Sequence, residues 1–145
     1  MPSFAGQTLL GKWLDLPAAA SGKPAIVIFS FSRASGHDAQ NWTQHLSKDD
    51  PRIAIYTVIF LESVPWFLRS MVASEIKNEM PSAMQDRTVL LYRDARSWKQ
   101  RLQLADEGHA CVSLIRANGE IQWMDSDSFA DARYSDLTKQ IQALK

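Results

Sequence analysis

The chain has a single cysteine, Cys111, among its 145 residues. A dithiol cycle within one chain needs two thiols, so that chemistry is excluded, and so is any internal disulfide framework. Charge of one sign is missing too: 16 Lys and Arg against 16 Asp and Glu leave a formal net charge of zero. Without a basic excess the electrostatic footprint of a nucleic-acid binder is absent, and neither nucleic acid nor an anionic membrane surface is favoured as a partner. Long hydrophobic runs are also lacking. Ala25 to Phe31 and Ile53 to Leu61 fall far short of the ~20 residues that cross a bilayer, so no transmembrane segment is expected. No phosphate loop, nucleophile elbow or His-Glu-x-x-His pattern occurs, and no cofactor is implied.

What is present suits one domain spanning residues 1–145, with 46% hydrophobic residues to build its core. The start shows no basic region followed by an apolar one, hence no visible secretory signal. Phe4-Ala5-Gly6-Gln7-Thr8-Leu9 reads as the beginning of the domain itself. A leader or anchor preceding it would make the protein exported or membrane-associated.

Along the chain the order alternates. Ala25 to Phe31 is a near-continuous apolar run, as in a central strand covered on both faces, and Arg52 to Phe60 is the next such run. Between them Ala39, Trp42 and Leu46 recur at helical spacing, which makes a β-α-β unit with parallel strands. Ser63 as N-cap and Pro65 in the first turn predict a second helix through Phe67, Leu68, Met71, Val72 and Ile76 to Pro81. Thr88 to Tyr92 predicts a short strand. Asp94 then caps a helix whose buried stripe is Trp98, Leu102 and Ala105, ended by Gly108. Cys111 to Arg116 and Glu120 to Trp123 alternate around Ala117-Asn118-Gly119, the signature of an antiparallel hairpin. A last helix, capped by Asp127 or Ser128, carries Ala130, Tyr134, Leu137, Ile141 and Leu144 on one face. No repeat, low-complexity tract or interdomain linker interrupts this order.

The order β-α-β-α-β-α-β-β-α with a final hairpin and helix resembles a thioredoxin-like domain of the larger peroxiredoxin or TlpA type. The fold expected is therefore α/β: a central mixed sheet with a parallel β-α-β unit and a C-terminal antiparallel hairpin, flanked by helices. In that frame the Cys-x-x-Cys turn is replaced by Ala34-Ser35-Gly36-His37. A finer resemblance rests on Phe4-x-Gly6-x-Thr8-Leu9-x-Gly11, on Phe29-Ser30 followed by Ala34 and Trp42, and on Ala110 to Ile115 with Gly119 to Trp123. These are similar to the ATP-ten family, known for ATP-synthase assembly chaperones and for lacking the paired cysteines. Arg116 stands where that family tends to have Asp, and Gln122 where it tends to have Arg. The resemblance implies a protein partner, such as a subunit of a membrane complex.

The thioredoxin-like frame brings the start of the first helix and the loop before the hairpin together. His37, Asp38, His109 and Cys111 could then converge, and two imidazoles with a thiolate suit copper or zinc. Sco copper chaperones, which this frame also resembles, have a histidine before the same strand, but their Cys-x-x-x-Cys ligands are missing here. The plain alternative is that His37 lines a helix end, His109 is a loop residue and Cys111 is a buried structural thiol. Cys111 could act as a one-cysteine peroxidase only if positive charge lowered its pKa, and Arg33 and the histidines are the only candidates for that. The peroxiredoxin cysteine motif is absent. Trp66 and its neighbours form a further candidate surface. Phe67, Met71 and Ile76 are expected to face the sheet, with Trp66, Met80 and Met84 outside or packed near Trp98. Arg93, Arg96, Lys99 and Arg101 read as a solvated helix face, and Asp125, Asp127 and Asp131 as helix-terminus carboxylates rather than calcium ligands.

The sequence therefore points to a non-catalytic, thioredoxin-like binding or assembly protein that contacts its partner through Arg33, Ser35, His37, Asp38, Trp66 and His109. The alternative is a one-cysteine redox or copper/zinc-binding protein using His37, His109 and Cys111.

Overall fold

The computed structural model describes residues 4–16, 18–20, 22–49, 53–103, 109–126 and 130–144, with Arg33 and Ala34 in backbone only. Seven strands form one sheet: β1 (Phe4–Thr8), β2 (Trp13–Leu16), β3 (Ala25–Ser30), β4 (Ala54–Phe60), β5 (Thr88–Leu91), β6 (Cys111–Ile115) and β7 (Ile121–Asp125). Their spatial order is β2-β1-β5-β4-β3-β6-β7. Strands β3, β4 and β5 run parallel, and every other neighbouring pair is antiparallel. The helices are α1 (Arg33–Asp49), α2 (Arg69–Glu79), α3 (Ser82–Gln85), α4 (Ala95–Arg101) and α5 (Asp131–Ala143). None among the described residues is long and apolar enough to cross a membrane.

All six residues of β3 are buried, because each face of the sheet is covered. Ala25, Val27 and Phe29 belong to a cluster with Trp98 and Leu102 of the α4 region. Ile26 and Ile28 belong to a second cluster with Ala39, Trp42 and Leu46 of α1 and Leu137 and Ile141 of α5. The expected β-α-β unit, the stripe on α1 and the strand at Thr88 are all present. So is the hairpin: Gly119 takes φ +89°, a conformation that L side chains rarely adopt, and Arg116 and Glu120 are hydrogen-bonded across the turn (N to O, 2.8 Å).

Several expectations are corrected. The N-terminal hairpin of β1 and β2 was not expected. It completes the sheet beyond β5, and Gly6 permits this, since a Cβ there would lie 2.6 Å from Val89 Cγ1 and 2.9 Å from Leu91 Cδ2. Ser63 caps nothing: a 3-10 turn over Trp66–Leu68 follows Pro65 and leads into α2, with no side-chain cap on either. Asp94 does occupy the N-cap of α4, but the Ala95 amide donates to Glu62 Oε2 (3.1 Å) instead. Helix α5 begins after Ala130, and the proposed caps Asp127 and Ser128 lie outside the described residues, as do Ala105 and Gly108. The helix through Trp66 is turned otherwise than expected. Phe67 and Met71 are 66% and 54% exposed, Met84 is buried, and Met80 packs on the α1 cluster.

Candidate functional site

The parallel strands β3, β4 and β5 all end at the same edge of the sheet, and β6, antiparallel to β3, begins there. This edge collects the turn into α1, the segment after β4 that carries Trp66, and the residues before β6. Crevices outside the carboxyl ends of parallel strands are where α/β sheets place ligands.

At the head of α1 the chain ties a knot of hydroxyls. Ser35 Oγ accepts hydrogen bonds from the amides of Phe31 and Ser32 (both 2.9 Å) and donates to the Ser32 carbonyl (2.9 Å). Ser30 Oγ lies 3.0 Å from it and Ser32 Oγ 3.2 Å. Ser32 Oγ in turn accepts from the Ser35 amide (3.2 Å), the N-cap bond for the first helical turn. A serine hydroxyl has one proton and two lone pairs, so Ser35 is saturated by these partners. It is also 0% exposed. Ser35 therefore holds the turn from beneath, which corrects its expected place on a contact surface. The signal for this was in the sequence: Ser32-x-x-Ser35 has N-cap to N3 spacing.

His37 is exposed and Asp38 half-buried one helical step further on. Asp38 Oδ2 accepts from the Ala110 amide at 3.2 Å, so the start of α1 and the residues before β6 do face each other. His109 is half-buried beside that contact, and the side chain of Arg33 lies outside the described residues.

Cys111 does not join them. It pairs with Phe29 across β3 and β6 and is 0% exposed in the cluster that holds Trp98, on the face of the sheet opposite α1. Burial, with the nearby Asp125 carboxylate adding to it, pushes the thiol pKa up to about 12. A reactive cysteine needs the opposite shift. Among the described residues no group of three His, Cys, Asp or Glu side chains stands close enough to hold a metal ion, so His37, His109 and Cys111 form no ligand cluster.

Trp66 is 80% exposed, and its ring meets that of Phe67 edge-on at 5.9 Å. With Met71 these side chains make an apolar surface on the outer side of the segment after β4.

Solved structures are similar to this chain in fold over nearly its whole length. The pneumococcal exposed lipoprotein thioredoxin Etrx1 from Streptococcus pneumoniae matches 99% of this chain and 100% of its own, with a TM-score of 0.68 and 12% identity. The fold is thioredoxin-like. The thioredoxin domain of a thiol-disulfide oxidoreductase from Bacteroides vulgatus matches 95% of this chain and 92% of its own (TM-score 0.62, 18% identity). BsSco, a member of the Sco family of cytochrome c oxidase assembly proteins, matches 99% and 91% (TM-score 0.63, 13% identity). At these identities the likeness is one of fold, and function has to be argued from the site. No family model matches the chain, and no curated protein matches it. The thioredoxin-like frame accounts for the shared edge of Ser35, Asp38 and Ala110, but here that edge is closed by hydroxyls and one carboxylate.

Proposed function

We propose that this chain is a thioredoxin-like binding or assembly protein without thiol chemistry of its own. The observation that carries this reading is the exchange at the sheet edge. Where a thioredoxin turn would hold a dithiol, the saturated hydroxyl of Ser35 locks the turn, and the lone thiol is sealed in the core with a raised pKa. Such an arrangement preserves the shape of the edge and removes its nucleophile. The contact surface of this proposal consists of the exposed side of the α1 start at His37 and Asp38, the neighbouring Arg33 and His109, and the aromatic pair Trp66 and Phe67. Exposed aromatics beside methionine form adaptable anchors for apolar protein segments.

The resemblance of Phe4 to Gly11 and Ala110 to Trp123 to the ATP-ten family supports an apolar client within a membrane complex such as ATP synthase. The test is crosslinking and co-purification from native cells with the membrane fraction retained, comparing the wild-type chain with Trp66→Ala/Phe67→Ala. Recovery of ATP-synthase membrane subunits with the wild type, and their loss with the double variant, is the expected result. Equal recovery with both chains would remove the Trp66 surface from the proposal. Recovery of metal-handling or oxidase subunits in their place would count against an ATP-synthase client.

A further inference from the structure

We infer that Asn118 is a site of self-catalysed modification, deamidation to aspartate and isoaspartate, which the hairpin of β6 and β7 holds in check and releases on opening. The reaction needs only the chain and water. The Gly119 nitrogen, once base has taken its proton, attacks Asn118 Cγ. The bond from Cγ to Nδ2 breaks and ammonia leaves, closing a succinimide ring. Water then opens the ring at one carbonyl or the other, and nothing is oxidised or reduced. One product is aspartate; the other is isoaspartate, whose main chain is longer by one carbon.

The fold itself puts the labile pair at this turn. Gly119 takes φ +89°, so the turn calls for glycine after Asn118, and glycine has no Cβ to shield its nitrogen. Asn118 is exposed, so water reaches its carboxamide. In the closed hairpin, hydrogen bonds oppose the attack. Gly119 is buried and its amide donates to the Arg116 carbonyl (2.8 Å), which keeps that proton from base. Asn118 Oδ1 accepts from the Glu120 amide (3.0 Å), which ties the carboxamide to the residue beyond its attacker. The Arg116 amide donates to the Glu120 carbonyl (2.8 Å) and closes the turn around both. The site therefore reacts from the open hairpin, and its rate follows the open fraction. Opening is a local event, because β7 is the last strand of the sheet and pairs with β6 alone. Once isoaspartate has formed, its extra carbon lies between the partners of both Arg116 bonds and prevents the same closure.

Incubation of the folded chain at mildly alkaline pH tests this, with conversion at Asn118 followed by mass spectrometry and isoaspartate scored separately. Hydrogen exchange at the Gly119 amide is measured under the same conditions, and a free peptide of residues 114–122 sets the unprotected rate. The folded chain should convert about ten-fold or more slowly than the peptide, with isoaspartate among the products. Ile121→Gly, which weakens β7 at its start, should quicken conversion and Gly119 exchange by the same factor, about five-fold. If that variant fails to fold, the wild-type chain in urea below its unfolding transition replaces it, and the two rates should again rise together. Conversion as fast as in the peptide, or conversion unmoved while Gly119 exchange quickens, would overturn the inference. So would aspartate without isoaspartate, which would mean direct hydrolysis with no attack by Gly119.

Discussion

Helices α1 and α2 each follow a parallel strand of the same sheet, and they have opposite fates. Helix α1 fully buries Trp42 and Leu46 against β3 and α5, while α2 has no buried residue and leaves its own Met71, and Phe67 just before it, in solvent. Each carries a few large apolar side chains at helical spacing, Trp42 and Leu46 on α1 and Met71, Val72 and Ile76 on α2. What differs is the partner across the sheet face: α1 packs on residues of β3, β4 and β6 and on α5, whereas α2 faces β1 and β5 across an open cleft. Apolar content at helical spacing therefore reports that a face exists, but not what lies opposite it. In this thioredoxin-like protein the face of α1 toward the sheet is closed, whereas α2 leaves apolar side chains in solvent.

The comparison is broken most forcefully by truncating one tryptophan on each side. Trp42→Ala should destabilise the fold by about 3–5 kcal/mol, the range for large core aromatics. Trp66→Ala should change stability by no more than about 0.5 kcal/mol, as for an exposed side chain. Denaturant unfolding of the two variants measures both, and a large loss in Trp66→Ala would mean that the α2 segment is part of the core after all. Next in size is Ser35→Ala. Removing that hydroxyl strands the amides of Phe31 and Ser32, which should cost about 1–3 kcal/mol by the same measurement.

The α1 side was legible in the sequence for a physical reason: its signals are local. Ala25 to Phe31 is apolar at every position because both faces are covered, the Ala39, Trp42 and Leu46 spacing fixes one helical stripe, and Asn118-Gly119 specifies its own turn. The errors arise where tertiary contacts decide. Asp94 sits at an N-cap, yet Glu62, 32 positions earlier, provides the hydrogen bond to Ala95. The strands β1 and β2 are short, and Gly6 is legible as a strand residue only once Val89 and Leu91 are seen against it. At the site, the closeness of the α1 start and the residues before β6 was foreseen from the fold resemblance and is present. Cys111 was placed near that contact, but strand alternation turns its side chain to the other face.

The buried thiol sharpens the contrast through pH. Its ordinary pKa of 9.0 is raised to about 12 in the folded chain. Above pH 9 the unfolded chain loses this proton while the folded chain keeps it, so stability is complete below about pH 9 and declines as pH rises from there toward 12. Cys111→Ala should flatten that decline in urea-unfolding series at increasing pH. Under native conditions at pH 8 the buried thiol is held protonated, so alkylation should be slow and should accelerate on unfolding. Fast native alkylation would instead place Cys111 among accessible groups and reopen a one-cysteine role.

A smaller loss than at Ser35 is expected at the bond between α1 and the residues before β6. Asp38 Oδ2 and the Ala110 amide join positions 72 residues apart, so the bond orders two segments that sequence-local forces leave independent. Asp38→Ala should lower global stability by about 1 kcal/mol, and Asp38→Asn, which keeps an acceptor oxygen, by less. The clearer readout is local. Hydrogen exchange at the Ala110 amide should quicken about five-fold in Asp38→Ala, while amides of β3 and β4 are slowed as in the wild type. If Ala110 exchanges no faster, the packing of Ala110 in the α1 cluster, and not this hydrogen bond, governs the opening of the segment.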